Sequence, residues 1–197
     1  DAETGARELR TGEVEELGQG VITGARRAEQ GGFQGVELHG AHGYLLAQFL
    51  DAEHNRRDDR YGGSFDNRCR IVFELIDGIR AATGPQFQLG LRLSPERFGI
   101  VMSESLQLAQ QVLASGQLDY LDMSLWDCFK PPQDPAYAGR PLIDHFSALP
   151  RGPTRLGVAG KIMDAATAQR CLEHGADFVL IGRGAMLHHD FAALALA

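Results

Sequence analysis

Five short, mostly apolar segments alternate with longer amphipathic ones along this chain, and that alternation restricts the fold more than any other feature. Strands are expected over residues 35–39, 87–93, 118–123, 154–159 and 177–181. Helices are expected between them over 67–83, 104–115, 142–149 and 164–175, with one more over 12–31 in front. Such alternation calls for parallel strands joined by right-handed crossovers. Short apolar strands are what a sheet covered on both faces requires. The first helix carries an apolar stripe of Val21, Ile22, Ala25 and Ala28, has Glu13, Glu15 and Glu16 near its positive end, and stops at Gly31-Gly32. Thr11 is the expected cap, although Val14 stands where a capping box needs Glu or Gln. A long polar loop is expected after the first strand. A second is expected over 126–141, which holds four of the eight prolines.

Two α/β architectures fit this pattern, an open doubly wound sheet and a barrel. Four of the strands carry polar residues at or just after their C-terminal ends: His39, Arg92, the stretch 124–127, and Gly182-Arg183. In a barrel those ends converge on one mouth, where active sites lie. The expected class is therefore the (β/α)8 TIM-barrel type. A whole barrel takes about 250 residues and eight strands. A chain of 197 residues with five strands is expected to be one domain over 1–197, about five βα units of an incomplete barrel.

Composition removes several function classes. The net charge is −7, and the densest basic cluster, Arg56, Arg57 and Arg60, is interrupted by Asp58 and Asp59. That argues against nucleic acid or an anionic membrane as partner. No apolar run approaches the roughly 20 residues of a membrane span. The polar, acidic start of the chain is not expected to be a secretory signal, and the lack of Met at position 1 is expected of a cut or processed chain. Cys69, Cys128 and Cys171 are odd in number and far apart, as expected of a reduced, cytoplasmic protein with no disulfide framework and no metal centre.

The stretch 35–70 reads GVELHGAHGYLLAQFLDAEHNRRDDRYGGSFDNRCR. It places two imidazoles and a phenol, His39, His42 and Tyr44, at the end of a strand. Side chains three apart project together if the backbone turns there. Two neutral imidazoles can donate hydrogen bonds to one oxygen and stabilise negative charge developing on it. A nearby tyrosine can deliver a proton. The same residues also read as half of a zinc site or as satisfied core side chains, but no HExxH pattern or well-spaced third ligand accompanies them. Arg92, near the end of an apolar strand, needs an acceptor, either an acidic partner or an anionic ligand at the mouth. Gly160-Lys161 and Gly182-Arg183 end the last two strands, 22 residues apart. They read as ordinary tight turns, or as the two glycine corners of a phosphate site that Arg183 completes.

Taken together these motifs resemble the old yellow enzyme family of NADH:flavin oxidoreductases. The resemblance runs through His39-Gly-Ala-His42-Gly-Tyr44-Leu, Gln48-Phe49-Leu50, Asn55, Arg57, Asp59, Tyr61-Gly-Gly-Ser64 and Asn67-Arg68. It continues through Leu91-Arg92-Leu93-Ser94-Pro95, residues 118–122, Gly160 and Gly182-Arg183. It implies the C-terminal portion of an FMN-binding TIM barrel. FMN would take hydride from NADH or NADPH and pass it to an activated alkene, a small-molecule substrate. His39 and His42 would clamp the activating oxygen, the family having His or Asn at the second position, and Tyr44 would supply the proton. Arg92 would face the flavin pyrimidine. Gly160, Lys161, Gly182 and Arg183 would hold the FMN phosphate, the Lys161 position being one that varies in the family.

The rest of the chain is read more plainly. Residues 55–68 are expected to form a structural loop pinned by Asn67 and Arg68; the family usually has Thr where Asp58 stands here. Trp126, Phe129 and Tyr137 are expected either to line a substrate pocket or to anchor their loop, and His188-His189-Asp190 to be a surface turn. Two other functions remain open: a phosphate-binding barrel of different chemistry, with Lys161 the lysine candidate, and a non-catalytic fragment. An incomplete barrel is expected to need the missing N-terminal segment or to self-associate.

Overall fold

The computed structural model of the chain describes residues 7–196; residues 1–6 and 197 of the expected domain lie outside the described residues. Five strands, β1 (Gly35–Gly40), β2 (Gln88–Leu93), β3 (Tyr120–Ser124), β4 (Arg155–Ala159) and β5 (Phe178–Val179), form one sheet in the order β1-β2-β3-β4-β5. Every pairing is parallel. Helix α1 (Thr11–Gln30) precedes the sheet. The crossovers hold α2 (Leu45–Leu50) with α3 (Phe65–Ala82), then α4 (Met102–Ser115), α5 (Leu142–Ser147) and α6 (Ala165–Glu173); α7 (Arg183–Leu187) and α8 (Phe191–Leu196) follow β5. The strand order never reverses. A doubly wound sheet turns back at a switch point, whereas a barrel adds each new strand on the same side. The chain has the barrel order.

Register divides the two faces. Leu38, Leu91, Leu121 and Leu156 lie level across the first four strands, and all are buried beneath the helices together with Leu89, Leu93, Met123 and Val158. Each such side chain contributes about 1.5–3 kcal/mol by leaving water. The opposite face carries the alternate residues. One row is Glu37, Gly90, Tyr120 and Arg155; the next, nearer the C-terminal ends, is His39, Arg92, Asp122, Gly157 and Phe178. Two glycines in these rows are needed for close approach. A Cβ on Gly90 would stand 2.0 Å from the Tyr120 ring, and one on Gly157 would stand 2.4 Å from the Phe178 ring. The two rings thus occupy the space above these glycines and meet edge to face at 5.6 Å. Below them the inner face opens into a groove of about 830 Å³ lined by Glu37, Gln88, Tyr120, Arg155 and Phe178.

Several boundaries differ from the sequence expectation, each for a local reason. The cap of α1 is Arg10, not Thr11, whose hydroxyl donates to Asp59 Oδ2 at 2.6 Å. Counting from Arg10, Glu13 sits at the third helical position, and its carboxylate accepts from the Arg10 N–H at 2.8 Å. This is half of a capping box; arginine has no acceptor for the other half. Helix α2 interrupts the expected polar loop. Asn67 and Arg68 lie inside α3, which Ser64 caps by accepting from Asn67 N–H at 3.3 Å. The loop before it is pinned by the Arg68 guanidinium, which donates to the Gly63 carbonyl, and also by Asn55, whose Nδ2 donates to the Phe49 and Tyr61 carbonyls at 2.7 and 2.9 Å, and by the Arg57–Asp59 pair. Asp58 is exposed. The last strand keeps two of the five residues expected. No described helix is long and apolar enough to cross a membrane.

Candidate active site

The inner row at the strands' C-terminal ends gathers the residues that the sequence singled out. After β1 the chain reverses through His42 (φ 61°) and Gly43 (φ 74°), two consecutive left-handed residues. Among non-glycine residues, His, Asn and Asp tolerate this region best. The reversal stacks three rings together: His39 lies 5.2 Å from His42 and 5.3 Å from Tyr44, centroid to centroid. Tyr44 caps α2 and is 64% exposed, so its hydroxyl is open to a ligand.

His42 is held from two sides. Its N–H donates to Ser94 Oγ at 3.1 Å, and its Nε2 lies 2.7 Å from Ser124 Oγ. Burial, then the Arg92 charge and His39, lower its pKa below the ordinary imidazole value. A neutral ring near pH 7 is the form that can donate one hydrogen bond and accept another.

Arg92 reaches Ser124 Oγ through NH2 at 3.4 Å and sets its Nε 2.9 Å from Asp122 Oδ2. Although that distance is short, neither Asp122 oxygen nor Arg92 Nε has a well-directed hydrogen bond among the described residues. The pair is held by charge rather than by alignment. Asp122 is fully buried, and its pKa is pushed up to about 7, chiefly by burial, against the lowering effect of Arg92 and with Glu37 raising it further. The acidic partner anticipated for Arg92 is therefore present, and the guanidinium also faces the mouth. Ser124 belongs to the polar strand end 124–127 noted in the sequence, but neither it nor Asp122 was given a role there. Their signal was available: polar side chains at alternate positions of an otherwise apolar strand, LDMS.

The second cluster lies at the ends of β4 and β5. A Cβ on Gly160 would stand 3.0 Å from the N atoms of Asp127 and Cys128, so this glycine lets the β3–α5 loop pass close by. A Cβ on Gly184 would stand 3.0 Å from Ile162 O. That contact brings the Gly160-Lys161 and Gly182-Arg183 corners side by side. Among the described residues, the N–H groups of Gly160, Lys161, Gly182 and Arg183 donate to no protein acceptor, and no carboxylate pairs with Arg183. Lys161 Nζ is 3.4 Å from Asp127 Oδ2, and its side chain is exposed. These donors suit a phosphate group, with the backbone and Arg183 rather than the Lys161 side chain as its partners.

Of the three loop aromatics, only Trp126 reaches the mouth. It lines a small pocket with His42, Phe98 and Ser124, and Arg97 lies over its ring at 4.4 Å. Phe129 packs on Arg170 and His174, and Tyr137 on His145. His188, His189 and Asp190 are exposed. Among the described residues no group of three or more His, Cys, Asp or Glu side chains is arranged to hold a metal ion.

The structure is thus a parallel βα-barrel segment with an imidazole pair, a phenol and an arginine at its mouth and two glycine corners beside them. Residues 2–193 match the NADH:flavin oxidoreductase / NADH oxidase family, and the chain belongs to it. It is 35% identical over 199 residues to the NADH:fumarate oxidoreductase of Klebsiella pneumoniae (strain 342), covering 95% of this chain and 21% of that protein. Over 89 residues it is 49% identical to 12-oxophytodienoate reductase 1 of Oryza sativa subsp. japonica, covering 45% of this chain and 23% of that one. Morphinone reductase, solved in complex with tetrahydroNAD, superposes with a TM-score of 0.75 at 31% identity. That superposition covers 96% of this chain and 51% of the reductase. The chain thus spans about half, or less, of the relatives it matches, and the fold is about half of a TIM-barrel reductase.

Proposed function

We propose that this chain supplies the oxygen-clamping and proton-delivering side of an FMN-dependent reductase of activated alkenes, with NADH or NADPH as the reductant. One observation carries the reading: the His39 ring lies 5.2 Å from that of His42 and 5.3 Å from that of Tyr44, with the Arg92 charge acting on His42. FMN, when bound, supplies the transfer of hydride from the nicotinamide to the β-carbon of the alkene. The protein's own groups do the rest. The imidazoles hold the carbonyl or nitro oxygen and stabilise its developing charge. Tyr44 delivers a proton to the α-carbon as general acid. Arg92 supplies positive charge near the flavin pyrimidine. Gly160, Lys161, Gly182 and Arg183 hold the phosphate, mainly through backbone N–H groups and the guanidinium. The relatives' names point to different substrates, so the natural alkene is left open.

The test uses the full-length protein loaded with FMN. Tyr44→Phe should leave flavin bleaching by the nicotinamide nearly unchanged and slow alkene turnover by about 10²-fold or more, the range for loss of a general acid. Alkene turnover at the wild-type rate would remove Tyr44 as the principal proton donor. A protein that purifies colourless and stays so with added FMN would instead favour a non-catalytic fragment or a phosphate-binding barrel of other chemistry.

A further inference from the structure

Ser124 ends β3 and stands between the two most distinctive groups of the mouth. Its hydroxyl oxygen accepts from Arg92 NH2 at 3.4 Å, and the same oxygen is 2.7 Å from His42 Nε2. Arginine only donates, so one lone pair of the hydroxyl is committed. The hydroxyl hydrogen then has one available acceptor among the described residues, His42 Nε2. Were the imidazole instead to donate from Nε2, that hydrogen would be left without a partner at a partly buried site, a loss of about 1–3 kcal/mol. The chain Arg92 → Ser124 → His42 is therefore directed: each group donates to the next, and the guanidinium charge polarises the hydroxyl toward donation.

We propose that Ser124 is a positioning residue that fixes the tautomer of His42, holding Nε2 as the acceptor and leaving Nδ1–H as the donor offered to a ligand oxygen. This rests on the reading of His42 as half of an oxygen clamp, and it adds what sets the polarity of that half. A ring free to exchange tautomers would present a donor only part of the time. A ring held by Ser124 presents it always, and does so before a ligand arrives. The backbone serves the same end, because the His42 N–H is tied to Ser94 within the left-handed turn.

The tautomer can be read without flavin or turnover. Uniformly ¹⁵N-labelled chain, recorded in two-bond ¹H–¹⁵N correlation spectra above the imidazole titration range, distinguishes a protonated from an unprotonated ring nitrogen. The His42 signals are identified by their loss in His42→Gln. Wild type should show Nδ1 protonated and Nε2 bare. Ser124→Ala should shift the ring toward the Nε2–H form, the usual preference of a neutral histidine in water. Ser124→Thr, which keeps the hydroxyl and suits a strand, should restore the wild-type pattern. An Nε2–H ring in wild type, or a pattern unmoved by Ser124→Ala, would overturn the proposal. Should Ser124→Ala fail to fold, the wild-type spectrum and the Thr variant decide alone: Nδ1–H in both supports it, and Nε2–H in either rejects it. An Nδ1–H ring, with no alkene turnover by the full-length protein loaded with FMN, would support the role of Ser124 while removing the functional reading.

Discussion

At position 42 backbone and chemistry ask for the same few residues. A left-handed φ disfavours side chains with a branched β-carbon by about 1–2 kcal/mol, whereas Asn and His tolerate it. His42→Asn and His42→Val both remove the imidazole and its bond to Ser124, so the difference between them isolates the backbone. We expect His42→Val to be less stable than His42→Asn by about 1–3 kcal/mol in urea denaturation. Equal stability would mean that the turn relaxes without cost. Apart from the glycine that follows, no residue signals this conformation in advance, because φ is set by the reversal that brings the rings together.

Asp122 offers a second test at the same scale, with a defined sign. Its carboxyl is raised in the folded protein to about 7, so between the ordinary carboxylate range and pH 7 the folded state binds more protons than the unfolded one. Stability from this group is present at low pH and is lost as pH rises through the folded pKa. Asp122→Asn removes the titration. Relative to wild type, the variant should gain stability as pH rises from about 4 to 7, by on the order of 1.4 kcal/mol for each unit by which the carboxyl is raised. The comparison with wild type at each pH removes the opposite trend expected of Asp59, whose carboxyl is lowered by its hydrogen bond from Arg57 and by further bonds from Thr11 and Tyr61. A difference that stays flat with pH would show that Asp122 is charged throughout.

Among the elements, those legible in the sequence were the ones whose side chains answer to burial. The strands alternate with helices as expected, and the apolar stripe of α3 reads directly from Ile71, Leu75, Ile76 and Ile79, all buried. Helix α2 was hidden because six residues, LLAQFL, are too few to show a period, and Tyr44 provides no side-chain cap. The two-residue β5 is shorter than its apolar run, pairing with β4 only at Phe178 and Val179. Thr11 lost its capping role to a tertiary partner, Asp59, 48 residues away. Glycine separates local from tertiary demands most clearly. Gly24 lies exposed in the interior of α1 with nothing within 4 Å of a built Cβ. Gly24→Ala should stabilise the chain by about 0.5–1 kcal/mol. A Cβ on Gly35, at the start of β1, would stand 2.5 Å from the Gln88 carbonyl oxygen. Gly35→Ala should destabilise by about 1–3 kcal/mol, since backbone must move. The two melting temperatures should shift in opposite directions; a shared direction would contradict the packing described.

For the molecule as a whole, the decisive feature is that one face of the sheet is finished and the other is not. The helix-covered face is apolar and closed. The inner face holds Glu37, Tyr120, Asp122 and Phe178 over a groove of about 830 Å³, and β1 and β5 each have one strand neighbour among the described residues. Unpaired strand edges invite pairing with other chains. Exposed apolar side chains at Met186, Leu187, Leu194 and Leu196 add a sticky surface beyond β5. A flavin ring needs walls on more than one side, since pockets enclose about 70–90% of a ligand, and this sheet supplies one side. The two glycine corners and Arg92 are in place without the other walls. We therefore expect these 197 residues alone to bind FMN weakly, to turn over little alkene, and to self-associate in gel filtration. Supplying the remaining barrel strands, in cis or as a separate chain, should give a monodisperse, yellow, active protein. A monodisperse monomer of the 197-residue chain holding stoichiometric FMN with full turnover would show that the inner face closes by itself, and that five strands suffice for the reaction.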